Sequence, residues 1–271
     1  MNSASEPEPM IADLLALAQD FGRRAALLIS EGRRAAITHV RTKSSEVDVV
    51  TAMDIQCENF LVEKILAARP QDAITGEEQG ERPGSSGVRW IIDPIDGTVN
   101  YLYGIAHYAV SIAVELDTEL GPEVVVGVVT RGGVTGQYYA TRDGGAFLDD
   151  GPIQCSQPAS LAVSLVGTGF SYDAARRRRQ AEALTKLIDS VRDIRRSGSA
   201  ALDLCFLADG RLDAYYEEAL NEWDFAAGAL IAREAGCVVQ TPSKIDGICL
   251  GAAQSVATDF VAMVNQAHNR V

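Results

Sequence analysis

The string Trp90-Ile-Ile-Asp93-Pro-Ile-Asp96-Gly-Thr98 restricts this chain more than any other. The apolar run Val88–Asp93 reads as a buried strand. It ends in two acids separated by Pro94 and Ile95. Asp, Pro and Gly are turn formers, so a strand running into a sharp turn is the least the string demands. A turn accounts for Asp-Pro and Asp-Gly but leaves the rest of the string unexplained. Strand ends in mixed sheets face crevices where ligands bind. Two carboxylates there repel each other unless a cation joins them. Mg²⁺ suits one or two carboxylates together with water and phosphate oxygens. Gly97 and Thr98 follow where a helix can begin, and the N–H groups of a helix start hold phosphate without a side chain.

Around this string the patterning alternates between helix and strand. From Ile11, apolar Leu14, Leu15, Ala18, Phe21, Ala25, Leu28 and Ile29 recur at three and four, which predicts an amphipathic helix to about Ala36. A second helical pattern follows Asp54, with Phe60, Leu61, Ile65 and Leu66 on one face and Pro70 limiting it. Tyr108–Leu116, Val124–Thr130 and Gln137–Thr141 read as strands. Their connections are too short for helical crossovers, so they pair antiparallel. The second half predicts strands at Ser164–Thr168, at Leu212–Tyr216 and from Val238. It predicts helices over Arg176–Val191, over Ser199–Ala208 with Ser199 as N-cap, and over Asp224–Ala235, stopped by Gly236. Layered helices and sheets of an α+β fold follow. Two joined halves, 1–150 and 151–271, would meet near 145–160.

Composition excludes several classes. The chain has 271 residues, 47% of them hydrophobic, enough for a large core. Its net charge of −13 is the wrong sign for a non-specific nucleic-acid binder, which holds phosphates with Lys and Arg. A metal-dependent enzyme tolerates excess carboxylate, because the cation supplies the positive charge. Five cysteines, none spaced Cys-x-x-Cys, argue against a secreted disulfide framework. The acidic N-terminus lacks the pattern of a signal peptide. No run approaches the ~20 apolar residues of a membrane span. A soluble, cytoplasmic protein is the expectation. Arg176–Arg179 reads as the solvated start of a helix, and His107 as structural.

Two further acidic sites stand apart in sequence. Gly76-Glu77-Glu78 follows apolar Ala73-Ile74, and Trp223-Asp224 opens a helix. Alone, the first is a surface pair, and Asp224 is an N-cap or first-turn residue stabilised by the helix dipole. Their order along the chain changes that. Lys43-Ser-Ser precedes Asp48-Val-Val-Thr51-Ala-Met-Asp54, followed by Gly76-Glu77-Glu78, Trp90 to Asn100, and Gly127-Val-Val. Then come Arg196-Ser-Gly198-Ser199-Ala200-Ala201, Asp213-Ala-Tyr-Tyr-Glu217, Trp223-Asp224 and Glu234-Ala-Gly236. Spread in this order over nearly the whole chain, the motifs resemble the inositol monophosphatase family of lithium-sensitive, Mg²⁺-dependent phosphatases.

The resemblance implies a layered αβαβα sandwich of the sugar phosphatase type, with mixed and antiparallel sheets. It implies two to three Mg²⁺ ions per site. Glu77, Asp93 and the Ile95 carbonyl would hold one, and Asp93, Asp96 and Asp224 a second. Glu77 would also help hold a third. Thr98 and Asp54 would form the hydrogen-bonded pair beside the nucleophilic water, with Glu77 sharing its activation. Gly97 and Thr98 would bind phosphate through their N–H groups. Gly198, Ser199, Ala200, Glu217 and Asp224 would contact the substrate. Glu78 would support the metal ligands without binding the ion. Lys43 matches a family lysine on a loop near the metals.

The reaction implied is hydrolysis of a phosphate monoester by direct attack of metal-activated water, with myo-inositol monophosphate as substrate. Relatives act on fructose 1,6-bisphosphate, histidinol phosphate, adenosine 3′,5′-bisphosphate and NADP, and some bacterial ones serve as regulatory partners of transcription. Both remain alternatives. A small phosphorylated polyol is the expected partner, in a homodimer, with no nucleic acid and no membrane. Tyr101, where the family often has Phe, Ala106, where it often has Pro, and the Gly251-Ala-Ala-Gln-Ser stretch depart from the pattern. These departures bear on loop geometry and leaving-group selectivity rather than on metal binding.

Overall fold

The structure, a computed structural model, describes residues 8–36, 40–42, 49–244 and 247–268. Lys43 and Asp48 lie outside the described residues. Helix α1 spans Glu8–Ala36, and strands β1 (Val40–Thr42) and β2 (Val49–Thr51) form a small hairpin ahead of α2 (Ala52–Ala68). Next come β3 (Ala73–Gly76), β4 (Gly80–Arg82), β5 (Val88–Asp96), α3 (Thr98–Tyr103), β6 (Ala109–Thr118), β7 (Gly121–Arg131), β8 (Gln137–Thr141), β9 (Ala146–Leu148) and β10 (Gly151–Pro152). The rest of the chain forms β11 (Leu165–Thr168), α4 (Ala174–Thr185), β12 (Asp193–Arg195), α5 (Ala200–Ala208), β13 (Ala214–Glu218), α6 (Glu222–Glu234), β14 (Cys237–Gln240), β15 (Ile248–Ala253) and α7 (Ala257–Ala267).

One sheet has eight strands in the order β10-β9-β8-β7-β6-β5-β3-β4, and the other five in the order β12-β11-β13-β15-β14. The first is antiparallel except where β3 runs parallel to β5. The second is mixed, with β11 parallel to β12 and β13, and β13 antiparallel to β15.

Side-chain alternation along the strands builds the layers. Trp90 and Ile92 enter the core beneath α1 and α2, whose Leu14, Phe21, Ile29, Leu61 and Ile65 meet them. Ile91, between them, enters the opposite core with Leu204, Ala227 and Leu230 of α5 and α6. Tyr215 and Cys249 of the second sheet close that core from the other side, while Tyr216 and Leu250 face the third core with Phe260 and Val264 of α7. The layers therefore run α1/α2, sheet, α5/α6, sheet, α4/α7. Burial on both faces explains why β5 reads as an unbroken apolar run rather than an alternating one.

The structure departs from the sequence expectation at Arg176–Val191. Helix α4 ends at Thr185, because Leu187 turns inward to bury beside Ala183 and Lys186 Nζ donates to Ala267 O at 2.9 Å. Helix α7 was not expected at all. Arg177–Arg179 are exposed in the first turns of α4, capped by the Asp173 carboxylate, which accepts from Arg176 N at 2.7 Å. No described helix is long and apolar enough to cross a membrane.

Candidate active site

Strand β5 carries the first two acids. Asp93 pairs with Ser111 and Asp96 with Ala109, so β5 spends one residue more than β6 over this stretch. The resulting bulge accommodates Pro94, which has no N–H to give a ladder. Ile95 and Asp96 beyond it both line the cleft. Asp93 is buried and its Oδ1 accepts from Ile95 N at 2.9 Å. Asp96 sits at the start of α5, where Oδ2 accepts from Ser199 Oγ at 2.6 Å and Ala201 N at 2.7 Å. Ser199 caps the same helix by accepting from Leu202 N.

Gly97 follows with φ 97°, in the left-handed region, and a Cβ there would stand 3.1 Å from Gly198 O and from His107 O. Only glycine makes this turn comfortably. The turn starts α3 at Thr98, whose hydroxyl donates to Asp54 Oδ1 at 3.0 Å. Asp54 projects from α2 and is wholly buried. Asn100 ties the turn to the start of α5 by donating to His107 O at 2.7 Å and to Ser197 O at 2.8 Å.

Glu77 arrives by register. Parallel pairing sets Gly76 opposite Ile92, so the next residue on each strand brings Glu77 beside Asp93. Asp224 comes from the first turn of α6, where its Oδ2 accepts from Asn221 N at 2.6 Å. The N-terminal capping expected of an Asp at a helix start is thus real, and the same residue also faces the cleft. Ser111, the partner of Asp93 in the sheet, donates to Trp223 O at 3.3 Å and fixes the start of α6 against β6.

Glu77, Asp93, Ile95, Asp96, Gly97, Thr98, Gly198, Ser199, Ala200, Glu217 and Asp224 all line one cleft of about 320 Å³. Asp54 stands behind Thr98, and Glu78 points its N–H away, toward Glu58 Oε2 at 2.8 Å. The cleft also gathers Arg196, which opens the motif of the substrate end, and two residues that no sequence motif marks, Phe170 and Tyr172. Phe170 and Tyr172 follow the end of β11, so the rule that strand ends face ligands could have flagged them. His107 packs edge-on against Phe206, with ring centroids 5.2 Å apart, and its Nε2 lies 3.4 Å from Asp203.

The electrostatics of the cleft are those of crowded acids. Burial pushes the Asp93 carboxyl far above its usual range, and Glu77, Asp96 and Asp224 push it further. Asp224 is raised in the same way, by burial first and then by Glu77 and Asp96. Asp96 is pushed up to about 6 by burial, against the hydrogen bonds from Ser199 and Ala201. Glu217 is pushed up to about 7 by burial, although the Tyr215 hydroxyl donates to it at 2.8 Å.

A hard divalent cation fits this donor set. Every donor is an oxygen, the acids raise one another's proton affinity, and a cation would relieve that repulsion. Among the described residues no three His, Cys, Asp or Glu side chains are already gathered closely enough around one point to hold an ion.

An αβαβα sandwich whose two sheets and interlayer helices send acids into one cleft has the architecture of the sugar-phosphatase class. The solved structure of Mycobacterium tuberculosis SuhB superposes with a TM-score of 0.82 at 37% identity, covering 97% of this chain and 98% of that one. The inositol-1-monophosphatase of Mycobacterium leprae is 42% identical over 242 residues, 84% of this chain and 81% of that protein. A Pasteurella multocida protein named Nus factor SuhB is 36% identical over 228 residues, 83% of this chain and 84% of its own. The chain belongs to the inositol monophosphatase family, whose profile matches residues 10–268.

Proposed function

We propose that this chain hydrolyses phosphate monoesters, with myo-inositol monophosphate as its substrate and Mg²⁺ as its cofactor. The observation that carries the proposal is the convergence of Glu77, Asp93, Asp96 and Asp224 on one cleft whose wall includes Thr98, held from behind by Asp54. Glu77, Asp93, the Ile95 carbonyl, Asp96 and Asp224 would hold two to three ions. When bound, magnesium supplies charge neutralisation at the phosphoryl oxygens and makes water more acidic.

The chain's own residues do the rest. Gly97 and Thr98 stand at the start of α3, where helix N–H groups lack intrahelical acceptors and receive phosphate oxygens. Thr98 commits its hydroxyl proton to Asp54, which leaves its oxygen lone pairs to accept a hydrogen bond from the attacking water. Glu77 takes a proton from that water as its oxygen bonds to phosphorus. The bond from phosphorus to the inositol oxygen breaks on the opposite side, and the departing oxygen gains a proton from solvent. Glu217 and the Gly198–Ala200 backbone face the same cleft and hold the polyol hydroxyls. A site built to bond hydroxyls rejects analogues that lack them.

Lithium sensitivity and a homodimer belong to the same reading and rest on the family resemblance, while a cytoplasmic location and two halves meeting near 145–160 rest on composition and patterning along the chain. A regulatory interaction protein on this fold is the second reading, and the name of the Pasteurella relative favours it. Phosphate release from myo-inositol 1-phosphate, fructose 1,6-bisphosphate and histidinol phosphate, with and without Mg²⁺, tests both. Mg²⁺-dependent turnover with a preference for the inositol ester supports the first, a preference for histidinol phosphate overturns the substrate, and no turnover of any ester favours the second.

A further inference from the structure

Helix α2 meets the site at three places, and two of them have no part in the chemistry above. Asp54, Cys57 and Glu58 are spaced i, i+3 and i+4, which puts them on one helix face. Asp54 holds Thr98, and the Cys57 thiol donates to Pro94 O at 3.5 Å. Glu58 reaches the other side of the site. Its Oε2 accepts from Glu78 N and its Oε1 from Gln79 N, each at 2.8 Å.

Glu58 is wholly buried. A buried carboxylate is costly unless its oxygens are bonded, and backbone N–H groups bonded to a charged acceptor make strong partners. The turn is shaped around it. Gly76 and Gly80 are partners in the β3–β4 ladder, so the connection between them is only residues 77–79. A Cβ on Gly76 would stand 2.6 Å from Glu58 Oε1, so the chain passes directly over the carboxylate. Of the three turn residues, the last two have their N–H groups held from below, and the first is Glu77.

We propose that Glu58 is a positioning residue for the reaction, fixing the 77–79 turn through its backbone so that Glu77 presents its carboxylate beside Asp93. The inference rests on the reading of Glu77 as a cation ligand. Glu58 acts through the turn, so its loss should weaken cation binding, whereas a purely structural acid would lower stability and leave cation affinity alone. Groups that orient metal ligands commonly change metal affinity by about 10–100-fold when altered.

The test is Mn²⁺ binding to the purified full chain without substrate or phosphate, read from the paramagnetic resonance signal of free Mn²⁺. Wild type is compared with Glu58→Gln, Gly76→Ala and Glu77→Gln, alongside thermal unfolding and amide exchange at Gln79. Glu58→Gln keeps the size of the side chain but turns an NH₂ group toward a backbone N–H. It should raise the Mn²⁺ dissociation constant by about 10-fold or more and speed exchange at Gln79. If that variant does not fold, Gly76→Ala displaces the same carboxylate from the other side and should act in the same direction. Wild-type Mn²⁺ affinity in a folded Glu58→Gln or Gly76→Ala protein, with affinity lost in Glu77→Gln, overturns the positioning role alone. Wild-type affinity in Glu77→Gln overturns the cation reading of Glu77, and the positioning role with it.

Discussion

Thr98 donates its hydroxyl hydrogen to the buried carboxylate of Asp54 at 3.0 Å, across 44 residues of sequence. The bond locks the first residue of α3 to the first turn of α2 and fixes which way the Thr98 lone pairs point. Thr98→Val keeps the shape of the side chain and removes the hydroxyl. With water left unoriented, kcat should fall by about 10²–10⁴-fold while KM changes little. Steady-state kinetics on the inositol ester reads this, and an unchanged kcat would remove Thr98 from the reaction.

Ser199→Ala should cost stability as well as activity. The hydroxyl both donates to buried Asp96 at 2.6 Å and caps α5 by accepting from Leu202 N. Losing a cap and leaving a charged acceptor short of a partner should destabilise the fold by about 1–3 kcal/mol. Urea denaturation of the Mg²⁺-free proteins measures it, and a difference near zero would show that water replaces the hydroxyl fully.

The acid cluster sets a pH dependence with a definite sign. Asp93, Asp96 and Asp224 all have folded-state proton affinities raised above the unfolded value. In the metal-free protein the unfolded chain therefore ionises first as pH rises from about 4, and stability falls until the folded acids ionise in turn. For Asp96 that window closes at about 6, and for the other two it closes well above the ordinary carboxylate range. Divalent cations bind the ionised acids, so the rise in melting temperature caused by Mg²⁺ should grow with pH across the same window. Scanning calorimetry of chelated and Mg²⁺-loaded protein at several pH values checks this. Asp93→Asn should flatten the slope, and an Mg²⁺ effect that shrinks with pH would be the wrong sign.

Glu217→Gln separates substrate selection from chemistry. The residue faces the cleft from β13, and the Tyr215 hydroxyl holds it in place. The substitution should lower kcat/KM for myo-inositol 1-phosphate by about 10–100-fold, as expected when a charged hydrogen bond to a hydroxyl is lost. A phosphate ester without vicinal hydroxyls should be turned over at close to the wild-type rate. An equal loss on both substrates would place Glu217 in the chemistry instead.

Much of this was legible in sequence because local signals agreed with the fold. The heptad-like spacing from Leu14 to Ile29 gave α1, Ser199 announced the start of α5, and Gly236 the end of α6. The acid set was legible through motif order, since nothing in Glu77 or Asp224 alone distinguishes a cleft residue from a surface or capping one. Helix α4 ran short because the pull of Leu187 toward α7 is a tertiary contact that periodicity does not record. Glu58 was invisible for a related reason. An acid inside an amphipathic helix pattern reads as solvent-facing, and its burial depends on two N–H groups twenty residues away. The bulge at Pro94 likewise needs the pairing with β6 to be seen.

The most direct measurement is Mg²⁺-dependent phosphate release from myo-inositol 1-phosphate by wild type and Asp93→Asn. Asp93 stands where β5, Glu77 and Asp224 meet, and its replacement removes an oxygen donor and a charge without changing size. The expected result is robust Mg²⁺-dependent release by wild type and its loss in a variant that unfolds at or above the wild-type melting temperature when metal-free. Near wild-type turnover by folded Asp93→Asn would contradict a metal centre in this cleft.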